Sequence, residues 1–180
     1  MNQPELNFTH DPLAHSWVHS ANVAGCDFPI QNLPLAEFRK RGSAHALRGG
    51  VAIGDQVLDL SALATRGLLQ GLAQTACQAG AQPSLNDYMA LGPEAWQALR
   101  HGLFTLLEGN VSTHARDIVA ECLVPQADIE FGLPARIGDY TDFYTSIHHA
   151  RNVGQVLAPP RPLSPNFQWL PIAYHGRASS

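Results

Sequence analysis

Side chains able to do chemistry are concentrated in one stretch, residues 139–154. Within its sixteen positions lie two carboxylates, two tyrosines, two adjacent histidines and an arginine. Asp142 and Tyr144 are two residues apart, so on a strand both point to the same side. Ser146 suits the N-cap of a helix, which would place His149 in the first helical turn. This arrangement can face a ligand for a hard cation and a proton acceptor into one pocket.

Spacing alone also leaves a plainer interpretation open. An aspartate and a histidine at this separation are more commonly a cap and a surface or core residue than a metal ligand and a base. A hard cation takes roughly six oxygen ligands, so Asp142 alone cannot hold one. The other ligands must come from elsewhere in the protein.

The elements that position these residues begin with a hairpin. Val51 and Ile53 alternate before Gly54-Asp55, and residues 56–60 continue as a second extended run. Glycine at the first central position of a two-residue loop suits a tight hairpin turn. The pattern predicts a small antiparallel sheet or barrel.

A helix is predicted from Pro93 to the stop at Gly109-Asn110, with proline at the first helical position. Its apolar residues recur every three or four positions, which indicates a face that packs in a core. Arg100 and His101 are expected to face solvent. The apolar stripe consists of Trp96, Leu99, Leu103, Leu106 and Leu107.

The remaining segments give weaker predictions. Ser61 is expected to cap a helix through residues 63–72, although Gly67 and Gly71 weaken it. The small and polar residues 74–82 suggest a loop, residues 84–91 a short helix, and residues 167–170 a strand. Residues 35–41 suit either a strand or a single helical turn.

Residues 125–134 look like a connector between two domains. We therefore predict domains at residues 1–125 and 126–180.

Composition excludes several classes of protein. The net charge is −4, with no basic block, so a nucleic-acid surface is not expected. No run of about 18 apolar residues predicts a membrane helix, and the polar, acidic N-terminus does not resemble a signal peptide. Three widely spaced cysteines fit reduced thiols in a cytoplasmic protein.

Several long strings resemble the fumarylacetoacetase family. They are Ile137-Gly-Asp-Tyr-Thr-Asp-Phe-Tyr144, His149-Ala150, Asn152-Val-Gly154, and Tyr174-His-Gly-Arg-Ala-Ser-Ser180. Upstream, residues 27–34 and 50–60, and Leu91-Gly92 followed by Ala95-Trp96, are similar to the N-terminal domain of that enzyme. The resemblance runs in order through most of the chain.

The resemblance implies hydrolysis of the carbon–carbon bond of 4-fumarylacetoacetate to fumarate and acetoacetate, the last step of phenylalanine and tyrosine breakdown. By position, Asp142 would bind a divalent cation, calcium or magnesium, and His149 would be the general base. Tyr144 and Tyr174 would contact the substrate. The implied fold is mixed and β-rich. It has a small SH3-like β-barrel with accessory helices, followed by the opening portion of a β-rich catalytic domain. A homodimer is the implied assembly.

The chain also departs from the family pattern. Ala158 stands where the family usually has a substrate-clamping arginine, and we consider Arg161 as its replacement. Arg151 and Ala173 replace a usual threonine and glycine. The family's other metal ligands lie beyond the Tyr174 string, so we expect a fragment with little or no turnover.

Two alternatives remain open. One is another activity of the superfamily, such as decarboxylation, isomerisation or hydration of a related keto acid. The other is a non-catalytic N-terminal module for interaction or dimerisation.

Overall fold

A computed structural model describes residues 6–176. The chain divides into two compact units between Arg136 and Ile137, whereas the sequence places a domain boundary at 125/126. The first unit runs further because residues 123–132 belong to its sheet. Residues 125–134, expected as a connector, thus contain strand residues.

The first unit combines an antiparallel sheet with several helices. Its described strands are β1 (Leu35–Lys40), β2 (Arg48–Ile53), β3 (Gln56–Asp59), β4 (Leu123–Pro125) and β5 (Ile129–Gly132). Its described helices are α1 (Leu60–Leu63), α2 (Gly71–Gly80), α3 (Asn86–Ala90), α4 (Pro93–Leu107) and α5 (Thr113–Ala120). Of residues 35–41, which the sequence left undecided, residues 35–40 form β1.

The predicted hairpin joins β2 to β3. Ile53 pairs with Gln56, which leaves Gly54-Asp55 as a two-residue loop. Gly54 has a φ of 56°, and no non-glycine residue of the described chain has a positive φ. A positive φ at the first loop position alone is the type II′ pattern, so the prediction from Gly54 is confirmed.

The sheet is strongly curved. Its order is β4-β3-β2-β1-β5, which places β4 and β5 at opposite edges. Four strand spacings in a flat sheet would separate these edges by about 19 Å. Only the short 3-10 turn Gln126–Asp128 joins them, and four residue steps span at most about 14 Å. The two edges must therefore curl toward each other.

Side chains on the concave face support this curvature. Phe38 of β1, Val57 of β3 and Ile129 of β5 form one buried cluster, and Val124 of β4 packs against it. At Gly50 of β2, an added Cβ would overlap the Phe38 and Val57 side chains. All five described strands thus converge on one small interior.

The helices cover the other face of the sheet and bury a larger core. The predicted α4 is confirmed, and its Leu99, Leu103, Leu106 and Leu107 are buried, whereas Trp96 is partly exposed. Residues 74–82, expected as a loop, lie mostly in α2, since the buried Ala76, Cys77 and Gly80 pack in that core.

Other predictions in this unit were wrong. Asp59 rather than Ser61 caps the helix, and α1 spans only four residues. Arg100 does not simply face solvent, because its guanidinium donates to Thr9 and to the Gln31 carbonyl oxygen. The N-terminal turn folds over α4 and covers this part of the helix.

The second unit contains a two-stranded hairpin and a helix. Its described elements are β6 (Thr141–Tyr144), α6 (Ile147–Leu157) and β7 (Ile172–His175). The strand expected at residues 167–170 is wrong, since Pro165–Gln168 forms a 3-10 turn capped by Ser164. Among the described residues, no helix is both long and apolar enough to cross a bilayer.

Candidate active site

The β6–β7 hairpin brings three of the predicted site residues together. Asp142 lies directly opposite Tyr174, and Tyr144 lies opposite Ile172. Opposed residues of an antiparallel pair point to the same face. Asp142, Tyr144 and Tyr174 are half-buried, whereas Phe143 between the first two is exposed. The prediction that Asp142 and Tyr144 share a face is confirmed.

His149 of α6 contacts one of these residues, Tyr144. Ser146 is the N-cap, and its hydroxyl accepts a hydrogen bond from the His149 backbone N–H at 3.4 Å. The helix begins at Ile147, so His149 lies in its first turn, as predicted. The ring centroids of His149 and Tyr144 are 5.2 Å apart.

Tyr144 links the histidine to the second tyrosine. Its ring centroid lies 5.5 Å from that of Tyr174, in an edge-to-face arrangement. Such a geometry is favourable for aromatic pairs. Among the described residues, His148 makes no such ring contact and is exposed. His149, Tyr144 and Tyr174 therefore form a continuous row of rings, with Asp142 beside it on the hairpin.

Arg161 lies in a different part of the unit. Ala158 is the C-cap of α6, and the Arg161 backbone N–H donates to the Ala158 carbonyl oxygen at 3.0 Å. Nine residues of helix place Ala158 about 14 Å along the axis from His149. Within residues 6–176 the Arg161 side chain makes no ion pair. Its role as a substrate clamp stays a prediction.

The segment after α6 folds back on the helix. The Pro162 carbonyl packs against Gly154, and a Cβ added to that glycine would overlap the Pro162 carbonyl oxygen. The glycine of the Asn152-Val-Gly154 string is thus required by close backbone approach. It sets the path of the loop that carries Arg161.

A second polar group occupies the opposite face of the hairpin. Thr141 pairs with His175, and the Thr141 hydroxyl lies 2.8 Å from His175 Nδ1. The His175 Nε2 atom lies 3.9 Å from an Asp139 carboxylate oxygen, and both side chains are largely exposed. The sequence pattern indicated no role for His175. The one-residue offset from Tyr174 was the signal that it faces the other side. Residues 177–180, which complete the Tyr174 string, lie outside the described residues.

The described residues do not fit a complete cation site. Within 6–176, no group of three His, Cys, Asp or Glu side chains is placed to hold a metal ion. The Asp142 carboxylate offers a single suitable ligand, whereas calcium takes six to eight oxygens and magnesium six. Cation binding thus requires ligands beyond those that this arrangement supplies.

These side chains can nevertheless accept or donate protons and orient a substrate. Histidine accepts a proton near neutral pH, and tyrosine hydroxyls donate or accept hydrogen bonds. Aromatic rings also offer flat apolar contact to an unsaturated substrate. The arrangement suits a general base beside a bound carbonyl compound.

Comparison with known proteins places this geometry in context. A family described as "Fumarylacetoacetase N-terminal" matches residues 31–134, a range that contains β1–β5 and α1–α5. The chain is also similar to proteins named "Fumarylacetoacetase". The Oryza sativa subsp. japonica protein is 44% identical over 161 residues, which cover 87% of this chain and 38% of that protein. The Arabidopsis thaliana protein is 43% identical, with 85% and 37% covered. The Homo sapiens protein is 45% identical, with 86% and 37% covered. The chain thus spans less than two fifths of the length of these curated relatives.

Proposed function

The chain belongs to the fumarylacetoacetase family, and from this membership we propose that it forms part of a hydrolase acting on carbon–carbon bonds. The proposed reaction converts 4-fumarylacetoacetate and water to fumarate and acetoacetate, the last step of tyrosine and phenylalanine catabolism. The observation that carries the proposal is the row of His149, Tyr144 and Tyr174 beside Asp142 on one hairpin face.

In this proposal His149 is the general base. One ring nitrogen of the neutral imidazole accepts a proton from water, and the hydroxide adds to the ketone carbon of the fumaryl group. The bond from that carbon to the adjacent methylene then breaks. Fumarate leaves as a carboxylate, and the methylene carries the electron pair as an enolate of acetoacetate, which takes up a proton.

The tyrosines bind and orient the substrate. Tyr144 lies between the base and Tyr174, so it is placed to hold the fumaryl group near His149. Fixing a reactant beside the base supplies much of the rate acceleration in such reactions. Arg161 is proposed to bind a substrate carboxylate.

The proposed cofactor is a divalent cation, calcium or magnesium, with Asp142 as one ligand. When bound, such an ion stabilises negative charge on carbonyl oxygens. Because the described residues alone do not fit this ion, we expect residues 1–180 to bind it weakly and to give little turnover. Isothermal titration with Ca²⁺ and Mg²⁺ checks this, and tight binding would contradict the ligand count.

Loss of fumarylacetoacetate absorbance tests the assignment of the base. In the complete natural protein, His149→Ala should lower kcat by about 10²- to 10⁴-fold, the usual contribution of a general base. His148→Ala is the matched control, since this neighbouring histidine is also exposed. A His149→Ala enzyme with an unchanged rate would refute the proposed role.

The fold of residues 6–136 supports a further part of the proposal. The curved sheet and the interior shared by its strands favour an SH3-like barrel.

Since none of the proposed site residues lies in this unit, a role as interaction or dimerisation module is the second candidate. Light scattering tests the proposed homodimer, and a monomer at all concentrations would refute it. A cytoplasmic location also remains part of the proposal.

A further inference from the structure

The first unit contains a cavity of about 360 Å³, and none of the proposed active-site residues is among its lining residues. It lies between the short turn Phe8–His10, the start of β1, and helices α3 and α4. Small-molecule sites commonly measure roughly 300–1,000 Å³ and are mainly apolar, with a few polar groups that fix orientation. This cavity has the size and mixed lining of such a site.

The floor of the cavity is apolar. Leu33, Leu99 and Leu103 line it and are buried. Trp96 adds a large aromatic side, and its indole Nε1–H donates to the Tyr88 backbone carbonyl oxygen at 2.9 Å. This bond holds the indole in place, so a flat apolar ligand would meet a preformed surface.

Among the described residues that line the cavity, Arg100 supplies the one guanidinium. Its Nε donates to the Thr9 hydroxyl at 3.0 Å, and its Nη2 donates to the Gln31 carbonyl oxygen at 2.7 Å. Both acceptors are neutral, and within residues 6–176 Arg100 makes no ion pair. None of the ten lining residues is acidic. Among residues 6–176, the cavity lining therefore contains a positioned guanidinium and no carboxylate.

Tyr88 provides a second donor. Only 8% of this residue is exposed, yet its hydroxyl makes no hydrogen bond with the described part of the chain. Burial raises the pKa of the Tyr88 phenol, so the hydroxyl keeps its proton. The Tyr88 side chain lines the cavity, so its O–H is available to donate a hydrogen bond to a ligand.

The rim adds donors that suit an anion. Asn7, His10 and Gln97 also line the cavity. The Asn7 side-chain oxygen is engaged by Thr9, whereas its amide nitrogen has no partner within residues 6–176. Guanidinium and amide N–H groups together form charge-assisted hydrogen bonds to carboxylates, which are stronger than neutral ones.

We propose that this cavity binds a small organic carboxylate with an apolar, preferably aromatic, body. The carboxylate contacts Arg100 and the rim donors, and the apolar body lies against Trp96 and the leucines. An organic cation is disfavoured by the charge of Arg100. The apolar floor disfavours inorganic phosphate, which has no apolar part to bury. This site goes beyond the proposed hydrolase function, and its described lining residues all belong to the first unit.

Phenylacetate is the probe, and 2-phenylacetamide is its neutral counterpart of nearly equal size. Titration calorimetry with the 180-residue chain should show saturable millimolar binding of phenylacetate, with the amide at least about tenfold weaker, as expected for loss of a charge-assisted hydrogen bond. Binding of both compounds with equal affinity, or of neither, would overturn the proposal.

Two variants locate the site. Arg100→Gln should weaken phenylacetate binding about tenfold or more, with thermal unfolding as a check that the N-terminal turn is retained. Gln97→Glu leaves the Arg100 contacts intact and places a repelling carboxylate on the rim, so it should also weaken binding. Gln78→Glu is the matched control, since Gln78 is exposed on α2 and does not line the cavity. Equal affinities for the two Glu variants would show that phenylacetate binds elsewhere.

Discussion

Replacement of Asp59 should destabilise the first unit. Its Oδ1 accepts hydrogen bonds from the backbone N–H groups of Ser61 at 2.9 Å and Ala62 at 3.2 Å. Its Oδ2 accepts from Arg48 Nε at 2.5 Å, and the Arg48 guanidinium lies 4.5 Å from the Phe38 ring centroid. One carboxylate thus caps α1 and anchors a cation against the sheet interior.

The expected loss follows from these contacts. An N-cap is worth about 1 kcal/mol, and a hydrogen bond to a charged group is worth about 1.5–3 kcal/mol. The Arg48 side chain is 27% exposed, so water can partly solvate it once the carboxylate is gone. Asp59→Ala should therefore lower the free energy of unfolding by about 2–3 kcal/mol. Asp59→Asn keeps the capping oxygen and should lose only about 1 kcal/mol.

Urea unfolding followed by tryptophan fluorescence measures both losses. A Trp169→Phe background removes the tryptophan of the second unit, so that Trp17 and Trp96 report on the first. The double variant Arg48→Ala/Asp59→Ala should show a coupling energy of about 1 kcal/mol. A loss below about 0.5 kcal/mol for Asp59→Ala, or equal losses for the Ala and Asn variants, would refute the reasoning.

Three further predictions concern backbone approach, pH and thiol exposure. Gly154→Ala should destabilise the second unit by about 1–3 kcal/mol through overpacking. Gly138→Ala should not destabilise this unit, because an added Cβ there meets no other atom within 4 Å. Hydrogen exchange of the α6 amides compares the two variants. Burial raises the pKa of Glu37 above its usual 4.5, so the folded state binds this proton more tightly than the unfolded state. Its contribution to stability should then fall as pH rises above about 4.5, and Glu37→Gln should gain stability relative to the parent over the same range. A thiol reagent near pH 8 should label Cys26 quickly and Cys77 hardly at all, since burial raises the pKa of Cys77 to about 12. Fast labelling of all three cysteines without denaturant would contradict the buried thiols.

Elements specified by neighbouring residues were predicted well. The hairpin turn needs only the backbone freedom of Gly54, and α4 has proline at its start and a continuous apolar face. Ser146 and His149 lie within one helical turn, so their relation was also predictable. In each of these cases the deciding interaction spans only a few positions along the chain.

Elements specified by distant partners were predicted poorly. Residues in α2 are small and carry no strong apolar stripe, so their helix depends on packing against the sheet and α4. The short strands β4 and β5 pair with β3 and β1, which lie far earlier in the chain. The partners of Arg100 come from the N-terminal turn and Gln31. None of these contacts leaves a local sequence pattern.

For the candidate site, the sequence by itself determined which residues could do the chemistry and how they are ordered along the chain. Asp142 and Tyr144 share a strand face, and His149 follows in a capped helix. Only the tertiary structure brought Tyr174 opposite Asp142, because strand register depends on pairing across thirty residues of intervening chain. That Asp142 alone cannot hold a hard cation already followed from the sequence, because one carboxylate supplies too few oxygen ligands and a coordination shell is assembled from distant segments.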